Sequence, residues 1–215
     1  MKSKIYNPFT LLGVIISLFG ISCINLVFKN FFGIQLNDGQ MMARELLILA
    51  LVAFLCFYII PKEKLTLASI GLHDRHWGKS ILWAIGLALV LLVALFACIE
   101  LCKAFGLTFV SQNSWARLSK PVVAFITLRA GVAEEVFCRG YLLERLTSIT
   151  GKKWVALCLS VIPFGLLHYS QGPAGIITTM VGGLILSLFY FWKRDLKVNI
   201  VAHFLVDFIP NILLN

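Results

Sequence analysis

Charge is what this sequence has least of. Asp, Glu, Lys and Arg make up 13% of its 215 residues while 60% are hydrophobic, against about 25% charged in ordinary globular domains. That composition excludes a water-soluble globular fold. Paired cysteines are missing too: Cys23, Cys56, Cys98, Cys102, Cys138 and Cys158 are scattered through apolar runs without a CxxC pair. Neither a disulfide framework nor a zinc knuckle is indicated, and the cysteines read as small core residues. There is no Pro/Gly/Ser linker, low-complexity tract or internal repeat, so residues 1–215 read as one transmembrane domain. No HExxH is present, no serine sits in a nucleophile-elbow sequence, and no Cys/His pairing stands out. The net charge of +9 forms no patch; basic residues are spread through short loops, which argues against nucleic acid as a partner.

What the chain does have is long apolar runs. A helix needs about 20 residues to cross a hydrocarbon core of about 30 Å. Such runs lie near Phe9–Phe28, Arg44–Ile60, Ser80–Cys102, Pro121–Leu146, Trp154–His168, Ala174–Trp192 and Val198–Leu214. The expected fold is an all-α, polytopic membrane helix bundle of about seven transmembrane helices, with six to eight allowed by the two short runs. The first run follows Lys2 and Lys4 but is longer than a signal h-region and lacks a small-residue cleavage site, so it reads as a retained span. With the N-terminus cytoplasmic, twelve basic residues fall in cytoplasmic segments and five on the other side. The positive-inside rule therefore favours N-in and, for seven spans, C-out.

Between these runs, Leu65, Leu67, Ile70 and Leu72 precede His73, Asp74, Arg75, His76 and Lys79, the pattern of a short element lying at the cytoplasmic interface. His73 and His76 read as part of a solvated loop. Gly13/Ser17 and Gly183/Ser187 suit close approach of helices in lipid. Glu100, near Lys103 at the end of the third run, reads as an interfacial residue.

Three polar intrusions break the apolar pattern. Each charge at the centre of a membrane helix costs about 2.5–3.5 kcal/mol on insertion scales, so such residues face the protein interior or a wet cavity. The first intrusion is Glu134-Glu135-x-x-x-Arg139. Positions four apart share a helix face, whereas neighbours are turned by about 100°. Glu135 and Arg139 are thus expected to pair and organise the site. Glu134 points elsewhere and is expected to lack a cationic partner, which suits a group that takes up and returns a proton. The second intrusion is Phe164-x-x-x-His168, just after Pro163, where neighbours must satisfy freed backbone groups. His168 can line a wet pocket there. The third is His203-x-x-x-Asp207, with Asn199 one turn earlier, all on one face. With no side-chain nucleophile in sight, water activated by a carboxylate remains.

These three motifs, in this order on successive apolar segments, resemble the CAAX-protease and bacteriocin-processing family (CPBP, or Abi). The resemblance covers about residues 121–215, the expected catalytic core. It implies an all-helical intramembrane endopeptidase in which Glu134 and His168 activate water. His203 and Asp207 would stabilise the oxyanion, while Glu135 and Arg139 organise the site; Phe164 and Asn199 are possible supports. The family often has Asn where this chain has Asp207. An amide can donate to an oxyanion and an ionised carboxylate cannot, so Asp207 is either protonated or holds His203 in the donating tautomer.

The implied cofactor is none. Glu134, His168 and His203 also have the ligand types of a His₂Glu zinc site, which is the alternative. The expected partners are membrane lipid and a peptide or membrane-anchored protein substrate. Chain length and resemblance lean toward a prokaryotic cell membrane. Two further readings compete: a membrane immunity or peptide-binding protein of the same fold that cleaves nothing, and a proton-coupled transporter, against which the lack of an inverted repeat counts. One expectation cuts against the grouping. Counted at about 1.5 Å per residue from the nearest cytoplasmic lysines, His203 lies about 9 Å deep and His168 about 22 Å.

Overall fold

Each apolar run becomes a helix because backbone N–H and C=O groups away from water must be satisfied within their own segment. The computed structural model describes residues 7–73, 77–110, 115 and 117–213. Among these residues there are seven principal helices and no strand. They are α1 (Pro8–Phe32), α2 (Asp38–Lys62), α3 (Trp77–Ala104), α4 (residues 120–150), α5 (Lys153–Leu166), α6 (Gly172–Lys193) and α7 (Leu196–Leu213). The chain is therefore the expected all-α bundle. Lys2, Lys4, Asp74, Arg75, His76 and Leu214 lie outside the described residues.

Local signals set the helix ends. Asn7 accepts a hydrogen bond from the Phe9 N–H ahead of α1, and Asn37 and Gln40 form a reciprocal capping box on α2, each satisfying backbone donors left over in the first turn. Gly151, at φ 70°, closes α4 in the left-handed conformation, which glycine adopts without a Cβ clash. That tight exit lets α5 start at Lys153.

The helices differ in length from the apolar runs that announced them. Helix α2 continues through wide π-type turns at Leu55–Ile59 and spans 25 residues. Helix α4 joins an α part (Lys120–Glu135), π-type turns (Val136–Leu143) and a second α part (Glu144–Thr150) of 16, 8 and 7 residues, 31 together. Helix α5 has only 14. Among the described residues five helices are, by length and composition, long and apolar enough to cross a membrane: α1, α2, α3, α6 and α7. The two exceptions carry the first two motifs.

Helix α4 occupies the centre, with α1, α2, α5, α6 and α7 packed on it and α3 set against α6 and α7. Every residue from Val136 to Leu143 is buried, so α4 shows lipid little of its middle. Ile48, Leu55 and Ile59 of α2 pack with Phe137 and Tyr141 of α4 in one core cluster. Leu87 and Leu91 of α3 pack with Leu186 of α6 and Ala202 of α7 in another. The outward faces stay apolar, as at Leu82 and Val93, which suits lipid.

Small residues bring the backbones together, because packing rather than hydrophobic exclusion holds helices in lipid. Gly13 and Ser17 are the buried residues of α1, and a Cβ on Gly13 would overlap the Tyr141 hydroxyl of α4. At Gly131 of α4 a Cβ would stand 2.9 Å from the Ile200 carbonyl oxygen and 3.1 Å from the Phe204 nitrogen of α7. Those neighbours are backbone and cannot rotate aside. We expect Gly131→Ala to push α7 away and to cost about 1–3 kcal/mol, the usual range for overpacking. Unfolding in detergent measures it; a wild-type melting curve would mean that α7 yields freely.

The segment at Leu67–Ile70 lies at the surface, with Ala68 exposed, and is anchored by Ile70, which is fully buried, its carbonyl 3.2 Å from where a Cβ on Gly140 would be. Gly140 leaves room for that anchor. At the periphery one expectation changes. Of the cysteines, Cys56, Cys102 and Cys138 are buried, but Cys23 and Cys158 are exposed and all six are free. Apolar thiols can face lipid as readily as a core. Glu100 pairs with Lys103 at 2.7 Å at the exposed end of α3, as read.

Candidate active site

Glu135 is the hub of the polar constellation. Arg139 Nη1, one turn on, donates to Glu135 Oε1 at 2.7 Å. The i, i+4 spacing thus produces the pair that the sequence predicts, and both side chains are sealed from solvent. His203 Nδ1 lies 2.8 Å from the same oxygen, and Asn199 Nδ2 donates to Glu135 Oε2 at 3.2 Å and to the Leu186 carbonyl at 2.9 Å. A carboxylate only accepts, so Nδ1 of His203 carries the proton in this contact. Glu135 therefore ties α4 to α7 and fixes the imidazole, and Asn199 serves the carboxylate as a support.

His168 is oriented by different means. Helix α5 stops at Leu166, and the Leu167 and His168 N–H groups donate back to the Pro163 and Gly165 carbonyls. His168 Nδ1 lies 2.7 Å from the Phe164 carbonyl oxygen. That oxygen can only accept, so Nδ1 is the donor and the neutral ring keeps its lone pair on Nε2. The Phe164 ring meets His168 edge-on at 4.9 Å, and the Arg139 guanidinium lies over it at 4.7 Å. Both ends of the constellation thus rest on Arg139. A Cβ on Gly183 of α6 would come within 3.1 Å of Arg139 Nη2 and 3.2 Å of Phe164 Cδ1, so the small residue leaves them their space.

Glu134, His168, His203 and Asp207 line one cavity of about 710 Å³, together with Arg129 and Phe164. Its apolar wall comes from α3, at Leu91, Leu95 and Phe96. The depth difference between the two histidines does not prevent the grouping. At about 1.5 Å per residue, α4 is about 46 Å long, about 16 Å more than a hydrocarbon core. The 31 residues of α4 and the 14 of α5 are not matched in length, so a count from Lys153 along straight, level helices does not give the position of His168, which lines the same cavity as His203.

Two expectations about single side chains fail. Glu134 does have a cation near it, since Arg129 Nη1 lies 3.4 Å from its Oε1. The two are five apart, a spacing outside the i+3 and i+4 pairs that helix geometry favours. Asp207 does not hold the His203 tautomer: Glu135 takes Nδ1, while Asp207 Oδ2 faces Nε2 at 3.5 Å. Helical phase puts Asp207 on the cavity side of the ring and Glu135 behind it.

The sequence also hides a partner. Glu45 of α2, fully buried, receives Arg44 on Oε1 at 2.5 Å and Arg129 Nε on Oε2. Read alone, Arg44-Glu45 marks the edge of an apolar run; only an arginine elsewhere with no local partner, Arg129, hints at the contact. As for metal, among the described residues no three His, Cys, Asp or Glu side chains are gathered closely enough to hold an ion. Glu134, His168 and His203 share the cavity without forming a compact ligand set.

Residues 116–209 match the model of the family described as type II CAAX prenyl endopeptidase Rce1-like. That stretch contains all three motifs, so the resemblance read from them is shown for this part of the chain. A curated relative, the uncharacterized protein YpbD of Bacillus subtilis (strain 168), is 27% identical over 100 residues, which is 46% of this chain and 48% of the relative. The chain thus spans about half the length of the curated relative it matches. No solved structure matches.

Proposed function

We propose, from the Rce1-like stretch over residues 116–209 and the cavity inside it, that this integral membrane protein is an intramembrane endopeptidase. It hydrolyses a peptide bond in a membrane-associated peptide or protein. The observation that carries this reading is the meeting of Glu134, His168 and His203, from three helical segments, on one cavity. Glu134, assisted by the Nε2 lone pair of His168, takes a proton from water as it attacks the carbonyl, and later returns it to the leaving amine. His203, doubly protonated between the Glu135 and Asp207 carboxylates that face its two nitrogens, donates from Nε2 to the developing oxyanion, where loss of one donor can cost about 2.7–4 kcal/mol of barrier. Asp207 draws that nitrogen toward the cavity. Arg139 and Glu135 hold the two imidazoles in place, and Phe164 and Asn199 support them.

Water activation here needs no metal in our reading. We expect dialysis against a chelator to leave turnover unchanged, with metal analysis finding no stoichiometric zinc; loss of turnover restored by zinc would establish the metal-dependent version. The region of about 121–215 is the catalytic core of a single membrane domain. Its N-terminus is cytoplasmic, in a prokaryotic cell membrane. The excess of basic residues in the loops assigned to that side supports the orientation. Lys193 lies 3.8 and 3.7 Å from the Trp83 and Trp192 ring centres, and Lys197 lies 5.0 Å from that of Trp77, the aromatic and basic mixture of a membrane interface.

Asp207 favours a second reading. A carboxylate facing Nε2 at 3.5 Å competes for the proton that an oxyanion would need, which suits a peptide-binding immunity protein that cleaves nothing. One comparison decides. Membrane and secreted peptides from cells with the wild-type protein or Glu134→Gln differ by a cleaved product if the chain is a protease, and by nothing if it only binds.

A further inference from the structure

A chain of alternating charges runs from α2 into the cavity: Arg44, Glu45, Arg129, Glu134. Glu45 is fully buried and Arg129 nearly so. Arg44 donates to one Glu45 oxygen at 2.5 Å and Arg129 Nε donates to the other. The far side of the same Arg129 guanidinium approaches Glu134 Oε1 at only 3.4 Å. The arginine is therefore held firmly on one side and reaches loosely on the other.

We propose that Arg129 positions Glu134 and that Glu45, acting through it, is the counter-charge that keeps Arg129 from closing on the base. The idea rests on Glu134 as the proton acceptor. A carboxylate gripped by a guanidinium holds its charge and is a poor proton acceptor, while one with no cation nearby loses its orientation. Sharing Arg129 between two carboxylates avoids both outcomes. Glu45 lies 84 residues before Arg129, so the first half of the chain supplies this element to a site otherwise built from the second.

The test separates charge sharing from simple support. Dicyclohexylcarbodiimide reacts with protonated carboxyls in apolar surroundings, and mass spectrometry of the labelled protein in detergent reads Glu134 without any need for turnover. Removing the counter-charge in Glu45→Gln should turn Arg129 onto Glu134 and slow labelling there about tenfold. Glu45→Gln/Arg129→Gln should restore it to the wild-type rate or above. On a peptide that the wild-type protein cleaves, kcat should fall in both variants with KM unchanged: in Glu45→Gln because Arg129 grips the base, and in the double variant because the base has lost the cation that orients it.

A scaffold role alone would lower the melting temperature without that reversal. Equal labelling of Glu134 in all three proteins overturns the proposal. If labelling follows the expected order but the wild-type protein cleaves nothing, the coupling stands and the protease reading falls. Should Glu45→Gln fail to fold, Glu45→Asp, which keeps the charge but withdraws it by one methylene, should slow labelling less; no change there overturns the proposal as well.

Discussion

Glu134→Gln should lower peptide hydrolysis by about 10²–10⁴-fold, the range for loss of a positioned general base, while the protein folds and melts as before. The amide is the size of the carboxylate and its oxygen still accepts from Arg129 Nη1, the contact seen at 3.4 Å. The buried Glu135–Arg139–His203 group is untouched, since Glu134 takes no part in it. The variant therefore removes proton uptake and little else. Turnover of a peptide by purified protein, with unfolding followed alongside, measures both halves. Cleavage at the wild-type rate would end the assignment of the base.

The largest effect on stability is expected at Arg139. It is 1% exposed, pairs with a fully buried carboxylate and covers the Phe164 ring. Breaking a buried pair by removing one partner costs about 3–5 kcal/mol, because the other charge is left uncompensated. Arg139→Leu should lose that much in denaturant unfolding, and Glu135→Gln/Arg139→Leu should recover part of it because the stranded charge is gone. Neither variant should be active, as Glu135 no longer fixes His203 on an arginine-braced helix. A loss below about 1 kcal/mol for Arg139→Leu would mean that His203 and Asn199 suffice as partners for Glu135.

Periodicity and spacing carry the local part of this structure. The apolar runs mark all seven helices, and the i, i+4 relation of Glu135 and Arg139 predicts a contact that the fold contains. What they miss is set by distance along the chain or by backbone geometry. The Glu45–Arg129 contact joins residues 84 apart and neither motif nor period signals it. The π-type turns at Val136–Leu143 use residues that would serve equally in an α-helix. Asp207 shares a face with His203, yet which imidazole nitrogen it meets depends on Glu135 arriving from another helix. The short segment at Leu67–Ile70 has an interfacial pattern, but nothing in that pattern signals that Ile70 anchors it in the gap left by Gly140.

A 31-residue helical rod set across a bilayer leans or protrudes, and thicker or thinner bilayers change the lean at a modest energetic cost; α4 has that length and stands at the centre of the bundle. Glu134, Glu135 and Arg139 ride on that rod, whereas His168 stands just past the tip of a separate 14-residue helix. The carboxylates and the second imidazole thus ride on two bodies joined at Gly151, so a change in the lean of the rod alters the angle between them.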